Sequence, residues 1–330
     1  MKEKRVSLDD IARAIGVSKA TVSFVLNGKG DEFNISKEKQ RLITEKAKEL
    51  QYVPNFFAKS LRKGATKTIG LVVADITNAF YAELCKTIQE ALHERGYNTF
   101  FVNTNDDRAL ELQLMRELIH SSIDGMIIAP CNTIDALIPI LRETHIPVVF
   151  ADRPGDEEAD FVGVDNQKEA HKLIASFSQK PKKVAAFVKN EAYISTILKR
   201  IEGIKEACEK ACIDYEIFHL PVEENAVDRL ITNELMKGTD SFLPLNNIAA
   251  FQLIASFRRL LVNVPREVRL ISFDDHPAFE YVHPPVSALR QPIKTIAEES
   301  VLRLVHRLDE KLNPGKHLLL SCEFIPRGTH

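Results

Sequence analysis

Apolar residues in the first 65 positions recur at the spacing of short helices. Ser7 and Asp10 have the separation of an N-terminal capping box, and Gly16 stands where a glycine ends a helix in the left-handed conformation. The apolar residues that share one face of this first helix are Leu8, Ile11, Ala12 and Ile15. The pattern therefore predicts a short amphipathic helix directly after Ser7.

Two more helices are predicted to follow. Ser18 can cap a helix over Lys19–Leu26 that stops at Asn27 and Gly28. A third helix starts after Ser36, and its core-facing residues are Ile43, Ala47 and Leu50. Two short helices joined by a tight turn over 16–18 are typical of a helix-turn-helix. The sequence thus begins with a small all-α headpiece.

After Thr68 short apolar runs alternate with amphipathic helical segments. The predicted strands are 69–74, 99–102, 125–129, 148–151, 184–188, 217–220, 242–245, 270–273, 287–290 and 318–324. The predicted helices are 81–95, 108–121, 134–144, 167–178, 195–211, 226–236, 247–261 and 293–311. This alternation predicts α/β architecture with doubly wound parallel sheets. We expect two hinged lobes, joined by crossings near residues 165, 291 and 323.

Composition narrows the class of protein. The chain is 45% hydrophobic and 27% charged, as globular proteins are, and no apolar run reaches the roughly 20 residues of a membrane helix. The N-terminus lacks the apolar stretch of a signal peptide, so a cytoplasmic protein is expected. Residues 1–65 hold 14 Lys and Arg against 8 Asp and Glu, whereas the remainder is acidic. A small basic module of this kind attracts phosphate backbones.

No metal, cofactor or catalytic chemistry is indicated. The five cysteines are scattered, and no His cluster accompanies Cys208 and Cys212, so no zinc site is expected. The sequence contains no Walker-type or G-x-G-x-x-G loop. Asp152, Asp274 and His276 could act as acids or bases, but no nucleophile accompanies them. An enzyme is therefore not expected.

The second predicted helix carries candidate DNA contacts. Lys19 and Ala20 stand at its N-terminal end, from which side chains reach base edges in the major groove. The side chains that can bond phosphates are Thr21, Ser23 and Asn27. The alternative is that Ser18 and Thr21 only cap the helix.

The sequence resembles the lactose-repressor (LacI/GalR) family. The segments VSLDDIARAIGVSKATVSFVLNGKG and YVPNFFAKSLRKGATKTIGLVVADITNAFY look like its headpiece, hinge helix and first core strand. The resemblance extends along nearly the whole chain and implies a two-lobed core like that of periplasmic binding proteins. The implied domains are a headpiece (1–53), a hinge helix and linker (54–66), an N-terminal lobe (67–165 with 291–322) and a C-terminal lobe (166–290 with 323–330).

The resemblance extends the predicted DNA-binding surface to the hinge. There the implied contacts are Asn55, Ala58, Lys59, Leu61 and Arg62. Leu61 matches the leucine that wedges open a base step when two hinge copies meet in the minor groove. In the headpiece, Ser7, Leu8, Ser18 and Phe24 complete the predicted contacts. Phe24 departs from the family, because many members carry an Arg or His there that reads a base, so readout at this position must be apolar or absent.

Ligands of parallel α/β sheets bind beyond the carboxyl ends of the strands. The candidate effector contacts near such ends, or at a crossing, are Asn78, Phe80, Asp152, Arg200, Asn246, Asp274 and Gln291. Carboxylates, amides and a guanidinium can bond sugar hydroxyls, and an aromatic ring can cover an apolar sugar face. The predicted effector is therefore a sugar or sugar phosphate.

Some residues near these strand ends have structural alternatives. Asp75 and Asp275 could hold loops, and Arg153 could pair with the acidic stretch 156–160. Pro244 falls within a predicted buried strand, where proline is poorly tolerated, so a local irregularity is expected in the C-terminal lobe.

The sequence therefore predicts an effector-responsive transcription regulator that binds specific DNA, and we expect a repressor of a carbohydrate-use operon. We expect a homodimer on a pseudo-palindromic operator, because a two-fold protein presents two headpieces. We also expect it in the cytoplasm at the nucleoid, without a membrane partner. Two alternatives keep the DNA-binding function: control by a purine-type corepressor, or control by a phosphorylated protein partner.

Overall fold

The computed structural model describes residues 6–52, 65–131, 134–189, 194–309 and 315–330. The chain separates into two compact units, Met1–Thr66 and Lys67–His330. The first unit contains helices, and the second, called the core below, contains the strands of the described chain. No helix among the described residues is long and apolar enough to cross a membrane.

The helices of the first unit are α1 (Leu8–Ile15), α2 (Lys19–Leu26) and α3 (Lys37–Glu49). Ser7 and Asp10 form the predicted capping box, and Gly16 ends α1 with a φ of +75°, a conformation that glycine adopts without penalty. The side chains without solvent exposure in the shared core are Ile11, Val22 and Ile43. The predicted helix-turn-helix and its third helix are confirmed.

The core alternates strands and helices. Its strands are β1 (Thr68–Val73), β2 (Asn98–Asn103), β3 (Gly125–Ile128), β4 (Val148–Ala151), β5 (Asp160–Val164), β6 (Lys183–Lys189), β7 (Asp214–Leu220), β8 (Ser241–Pro244), β9 (Arg269–Phe273), β10 (Ser287–Arg290), β11 (His317–Leu320) and β12 (Glu323–Ile325). Its helices are α4 (Ala79–Glu94), α5 (Arg108–His120), α6 (Ile134–Thr144), α7 (Asn166–Ala175), α8 (Ser195–Ala211), α9 (Glu224–Met236), α10 (Asn247–Arg259) and α11 (Ile293–Asp309), with a 3-10 turn over Pro277–Glu280.

The strands form two six-stranded sheets with the same topology. The first has the order β11-β5-β4-β3-β1-β2, and the second has the order β12-β10-β9-β8-β6-β7. Every pairing is parallel except that of β12 with β10. Strand by strand, β1 to β5 of the first sheet therefore correspond to β6 to β10 of the second.

Each sheet is buried between helices on both faces, because alternate residues of a strand point to opposite sides. In β1, Leu71 and Val73 pack against α4 and α11, whereas Val72 packs with the apolar residues of α5 and α6. In β6, Val184 and Ala186 pack with α7 and α8, whereas Phe187 packs with α9 and α10. The predicted α/β class with doubly wound sheets is confirmed.

Two strand predictions differ from the structure. The predicted strand 318–324 is two strands, β11 and β12, which belong to different sheets because the chain crosses between the sheets at residues 321–322. Strand β5 was not predicted, because its segment DFVGV follows an acidic run and contains Gly163, which weakens the strand signal.

The irregularity expected at Pro244 is confined to one strand pairing. Pro244 is the last residue of β8, and the pairing of β8 with β9 has already ended at Phe242 and Leu270. The missing N–H of Pro244 therefore falls outside the ladder between β8 and β9. On the side of β6, the Leu245 N–H donates to the Phe187 carbonyl at 2.9 Å. The second sheet keeps all six strands.

Gly203 allows α7 and α8 to pack closely, and its replacement tests this contact. A Cβ at Gly203 would lie 2.1 Å from the backbone carbonyl oxygen of Gln167, so the helices would have to separate. We predict that Gly203→Ala lowers the free energy of unfolding by about 1–3 kcal/mol in urea titrations, although alanine is the better helix former. Lys205→Ala, at an exposed position of α8, is the matched control. A Gly203→Ala protein as stable as this control would contradict the prediction.

Candidate effector site and DNA-binding surface

The seven predicted effector contacts line one cavity of about 40 Å³ between the carboxyl ends of the two sheets, called the cleft below. The first lobe contributes Asn78, Phe80 and Asp152. The second contributes Arg200, Asn246 and Asp274, and Gln291 lies at the crossing between β10 and α11. Their binding roles remain predictions.

Asp152 and Asp274 hold equivalent places in the two lobes. Asp152 directly follows β4, and Asp274 directly follows β9, the corresponding strand of the second sheet. Both have left-handed backbones, with φ of +64° and +69°. This conformation is uncommon for a residue with a Cβ, and such residues concentrate at binding sites. Both carboxyl groups are nearly buried in the cleft.

Arg200 is fixed by a set of hydrogen bonds. Its Nη1 donates to Asp274 Oδ2 at 3.0 Å and to the Leu245 carbonyl at 2.7 Å. Its Nε donates to Asn166 Oδ1 at 2.8 Å, and its guanidinium lies 3.7 Å above the centre of the Phe273 ring. Because the side chain is only 4% exposed, this positive charge is held in one place at the base of the cleft.

Two amide side chains present unsatisfied acceptors. Gln291 Nε2 donates to Asp274 Oδ1 at 2.6 Å, and Asn247 Nδ2 donates across the cleft to Asn78 Oδ1 at 3.2 Å. The Gln291 Oε1 and Asn247 Oδ1 atoms are buried and have no hydrogen-bond partner in the structure. A buried acceptor without a partner costs free energy, so the Oε1 atom of Gln291, which lines the cleft, is suited to accept from a ligand hydroxyl.

The first lobe contributes a buried phenol and carboxyl pair. Tyr81 Oη donates to Asp152 Oδ2 at 2.8 Å. Burial raises the pKa of Asp152, although the neighbouring Arg153 guanidinium opposes this shift. Burial also raises the pKa of Tyr81 well above its usual value, so the phenol remains a donor at neutral pH.

Contacts in the structure show which roles Arg153, Asp75 and Asp275 have. Arg153 pairs with Asp106 rather than with the acidic stretch 156–160, so that expectation is wrong; Asp156 is instead bonded by Arg142 at 2.9 Å. Asp75 and Asp275 have the alternative role, because their carboxylates hold loops. The Asp75 carboxylate accepts from the Thr77 N–H at 2.9 Å. The Asp275 carboxylate accepts from Arg290 at 2.7 Å and from Arg327 at 2.8 Å.

The cleft is closed in this structure. Its 40 Å³ is close to the roughly 30 Å³ that one water occupies in the liquid. A groove of about 460 Å³ shares Phe80, Asp274 and Gln291 with the cleft and extends to the exposed Tyr281 and to Lys294. A ligand of sugar size does not fit the 40 Å³ cavity alone, so it must also occupy the groove, separate the lobes or displace the polar groups of the cleft.

Several cleft residues were not predicted. Thr196, Ile194 and Ile197 line the cavity from the start of α8, and Asn166 orients Arg200 from the start of α7. Aliphatic residues at a helix start have no distinguishing pattern in sequence. Asn166 could have been found, because it follows β5 at the carboxyl end of a strand, but β5 itself was not recognised.

The predicted contacts of the helix-turn-helix lie on its exposed side or cap its helices. Ala20 and Lys19 are exposed, and Lys19 Nζ lies 2.8 Å from Asp9 Oδ2. The residues whose side chains bond within the helix ends are Ser7, Ser18, Thr21, Ser23 and Asn27. Leu8 is half-buried against the headpiece core. The hinge predictions, Asn55, Ala58, Lys59, Leu61 and Arg62, lie outside the described residues.

Family models match both units. Residues 7–55 match the bacterial regulatory proteins of the lacI family, and residues 66–238 match the periplasmic binding proteins and sugar-binding domain of the LacI family. The chain belongs to the LacI family. Residues 178–330 also match a periplasmic binding protein-like domain. This membership confirms the predicted resemblance and identifies the chain as a transcription regulator that binds DNA through its helix-turn-helix.

The relatives of this LacI-family chain match it over nearly its whole length. The ribose operon repressor of Bacillus subtilis is 29% identical over an alignment of 334 positions that covers 98% of this chain and 98% of the relative. The HTH-type transcriptional repressor PurR of Aliivibrio fischeri is 24% identical over an alignment of 332 positions that again covers 98% of each chain. A LacI-family regulator from Enterococcus faecium with bound ribose has the same fold: its TM-score is 0.68 at 23% identity, covering 79% of this chain and 98% of that one.

The raised pKa of Asp152 predicts a pH dependence of stability. A carboxyl whose pKa is raised by folding stabilises the protein fully below the ordinary value of about 3.9, and this contribution is lost as the pH rises through the raised pKa. Asp152→Asn has no such loss, so its stability relative to the parent chain should increase from about pH 4 to about pH 7 in urea titrations.

The control is Asp156→Asn, because a hydrogen bond from Arg142 lowers the pKa of Asp156. Asp156 therefore stabilises the protein above its ordinary pKa, and this contribution is lost as the pH falls through the lowered value. Relative to the parent chain, Asp156→Asn should thus lose stability as the pH rises through that window. The same trend for both variants would contradict the assignment at Asp152.

Proposed function

We propose that the cleft of this LacI-family regulator binds a sugar or sugar phosphate, and that the bound molecule controls operator binding. The observation that carries this proposal is the convergence of seven polar and aromatic side chains from two lobes on one buried site. The relatives support the choice of ligand, since one is named a ribose operon repressor and a structural neighbour contains ribose.

The residues of the cleft match the chemistry of a polyol. Asp152 and Asp274 can accept from neighbouring hydroxyls, while Arg200 can donate to a ring or hydroxyl oxygen. The buried Gln291 Oε1 atom offers one more acceptor. The Phe80 ring, which is 7% exposed, can cover the C–H face of a sugar.

Control of DNA binding requires that the effector bind one arrangement of the lobes more tightly than another. Arg200 bonds Asp274 and also Asn166 at the first crossing, while Asp274 also bonds Gln291 at the second. Both residues belong to the second lobe, so an effector that takes over these bonds acts on the relative position of the lobes through the two crossings. In our proposal this movement sets the separation of two hinge segments, 54–66, in a homodimer, and thereby decides whether Leu61 and its neighbours reach the minor groove.

The same proposal includes the oligomeric state and the location of the protein. Two headpieces in a homodimer read the two halves of a pseudo-palindromic operator. Because its target is DNA, the protein acts in the cytoplasm at the nucleoid. The regulated genes would serve the use of a carbohydrate. The cleft binds and releases its ligand without chemical turnover.

A thermal-shift screen tests the effector assignment. The full-length protein is melted with sugars, sugar phosphates, nucleosides and purines, because a ligand at a hundred times its dissociation constant adds about 2.7 kcal/mol to stability. We expect a sugar or sugar phosphate to raise the melting temperature by several degrees, and the shift to be lost in Arg200→Lys and Asp274→Asn. Lys199→Ala, whose side chain is exposed beside Arg200, is the matched control and should keep the shift.

Two outcomes would overturn the proposal. A shift with purines or nucleosides alone would assign a purine-type effector. A panel without any shift, together with capture of a phosphorylated carrier protein, would assign control to a protein partner.

A further inference from the structure

The recognition side of the headpiece carries a stacked pair of phenylalanines. The rings of Phe24, in α2, and Phe33, in the following loop, lie face to face with centroids 3.6 Å apart and planes 11° apart. Phe33 is 49% exposed, and Phe24 is partly exposed. Two large apolar rings thus share a surface beside α2 that does not belong to the headpiece core.

The helix turns Phe24 away from the core. Val22, two residues earlier, is fully buried, whereas Ala20, one helical turn before Phe24, is exposed. Residues four apart lie on the same face of a helix, so Ala20 and Phe24 form an apolar stripe on the outer side of α2. Lys19 lies beside this stripe and is 60% exposed.

The loop that carries Phe33 is held by hydrogen bonds. Gln40 Nε2 donates to Asp31 Oδ1 at 2.8 Å and to the Ile35 carbonyl at 2.7 Å. Lys37 Nζ donates to Asp31 Oδ2 at 2.8 Å, and the Ile35 N–H donates to the Gly30 carbonyl at 2.9 Å. These bonds tie the loop to α3 and hold Phe33 against Phe24.

The major groove offers one apolar group to such a surface. Each base edge presents hydrogen-bond donors and acceptors, and only thymine adds a methyl group at C5. A phenyl ring placed against donors and acceptors would remove their water without replacing its hydrogen bonds. A ring placed against the thymine methyl buries apolar surface on both partners.

We propose that Phe24, backed by Phe33, selects thymine in each operator half-site by contact with its 5-methyl group. Ala20, one turn earlier, contacts a neighbouring base through the same apolar stripe. This inference rests on operator binding through α2. It assigns a specificity to the position where the family resemblance leaves the base readout open.

Removal of single methyl groups from the DNA tests the proposal with the protein unchanged. Operators are first enriched from random duplexes by the full-length protein, and each thymine of a half-site is then replaced by deoxyuridine. We expect one or two positions at which this replacement weakens binding about 3- to 10-fold in anisotropy titrations. The other thymines should tolerate it.

Three variants connect these positions to the phenylalanines. In Phe24→Ala the deoxyuridine at those positions should weaken binding no further, and in Phe33→Ala its effect should shrink. Leu42→Ala, which removes a side chain of 47% exposure from α3, is the matched control and should keep the full methyl effect. Melting curves confirm that each variant folds.

Three results would overturn the assignment. Deoxyuridine could be tolerated at every thymine, or its effect could be the same in Phe24→Ala as in the parent protein. Either result would remove the methyl contact while leaving operator binding intact. Failure to enrich any sequence would instead overturn operator binding itself, and this assignment with it.

Discussion

The hydrogen-bonded ion pair between Arg200 and Asp274 is the interaction on which the cleft depends. It joins the start of α8 to the end of β9, and the same two side chains hold Asn166, at the first crossing, and Gln291, at the second. A buried ion pair adds little net stability, because the cost of removing both charges from water offsets their attraction. Its importance here lies in its position. A ligand that bonds Arg200 or Asp274 can replace the bonds that these residues make to Asn166 and Gln291 at the two crossings.

The repeated topology explains why the cleft has two matching walls. Each of the corresponding strands β4 and β9, one from each lobe, is followed by an aspartate with a left-handed backbone. Asp152 is bonded by Tyr81 and Asp274 by Arg200, so the two walls carry the same acid in different surroundings. A ligand that bonds both carboxylates bridges the lobes, and its binding is thereby coupled to their closure.

Sequence patterns predicted the parts of the molecule that local chemistry determines. Capping residues and helical spacing located α1 to α3, and apolar runs located most core strands. The seven cleft residues were found because parallel strands bring their carboxyl ends together, and because the family resemblance implies effector contacts at five of them. Strand β5 and the division of the last strand were missed, since both depend on pairing with distant segments.

The pairing of Arg153 with Asp106 was missed for the same reason: they are 47 residues apart and meet only in the folded sheet. The stacking of Phe33 on Phe24 likewise depends on a loop that Asp31 and Gln40 hold in place.

The central claim is that the cleft and the operator site are thermodynamically coupled, and reciprocity tests it most directly. The operator dissociation constant is measured with and without saturating effector, and the effector dissociation constant with and without saturating operator. Linkage requires the two ratios to be equal, and we expect a factor of about 5 or more, of either sign. An effector that binds the free and the operator-bound protein with the same affinity would contradict the account.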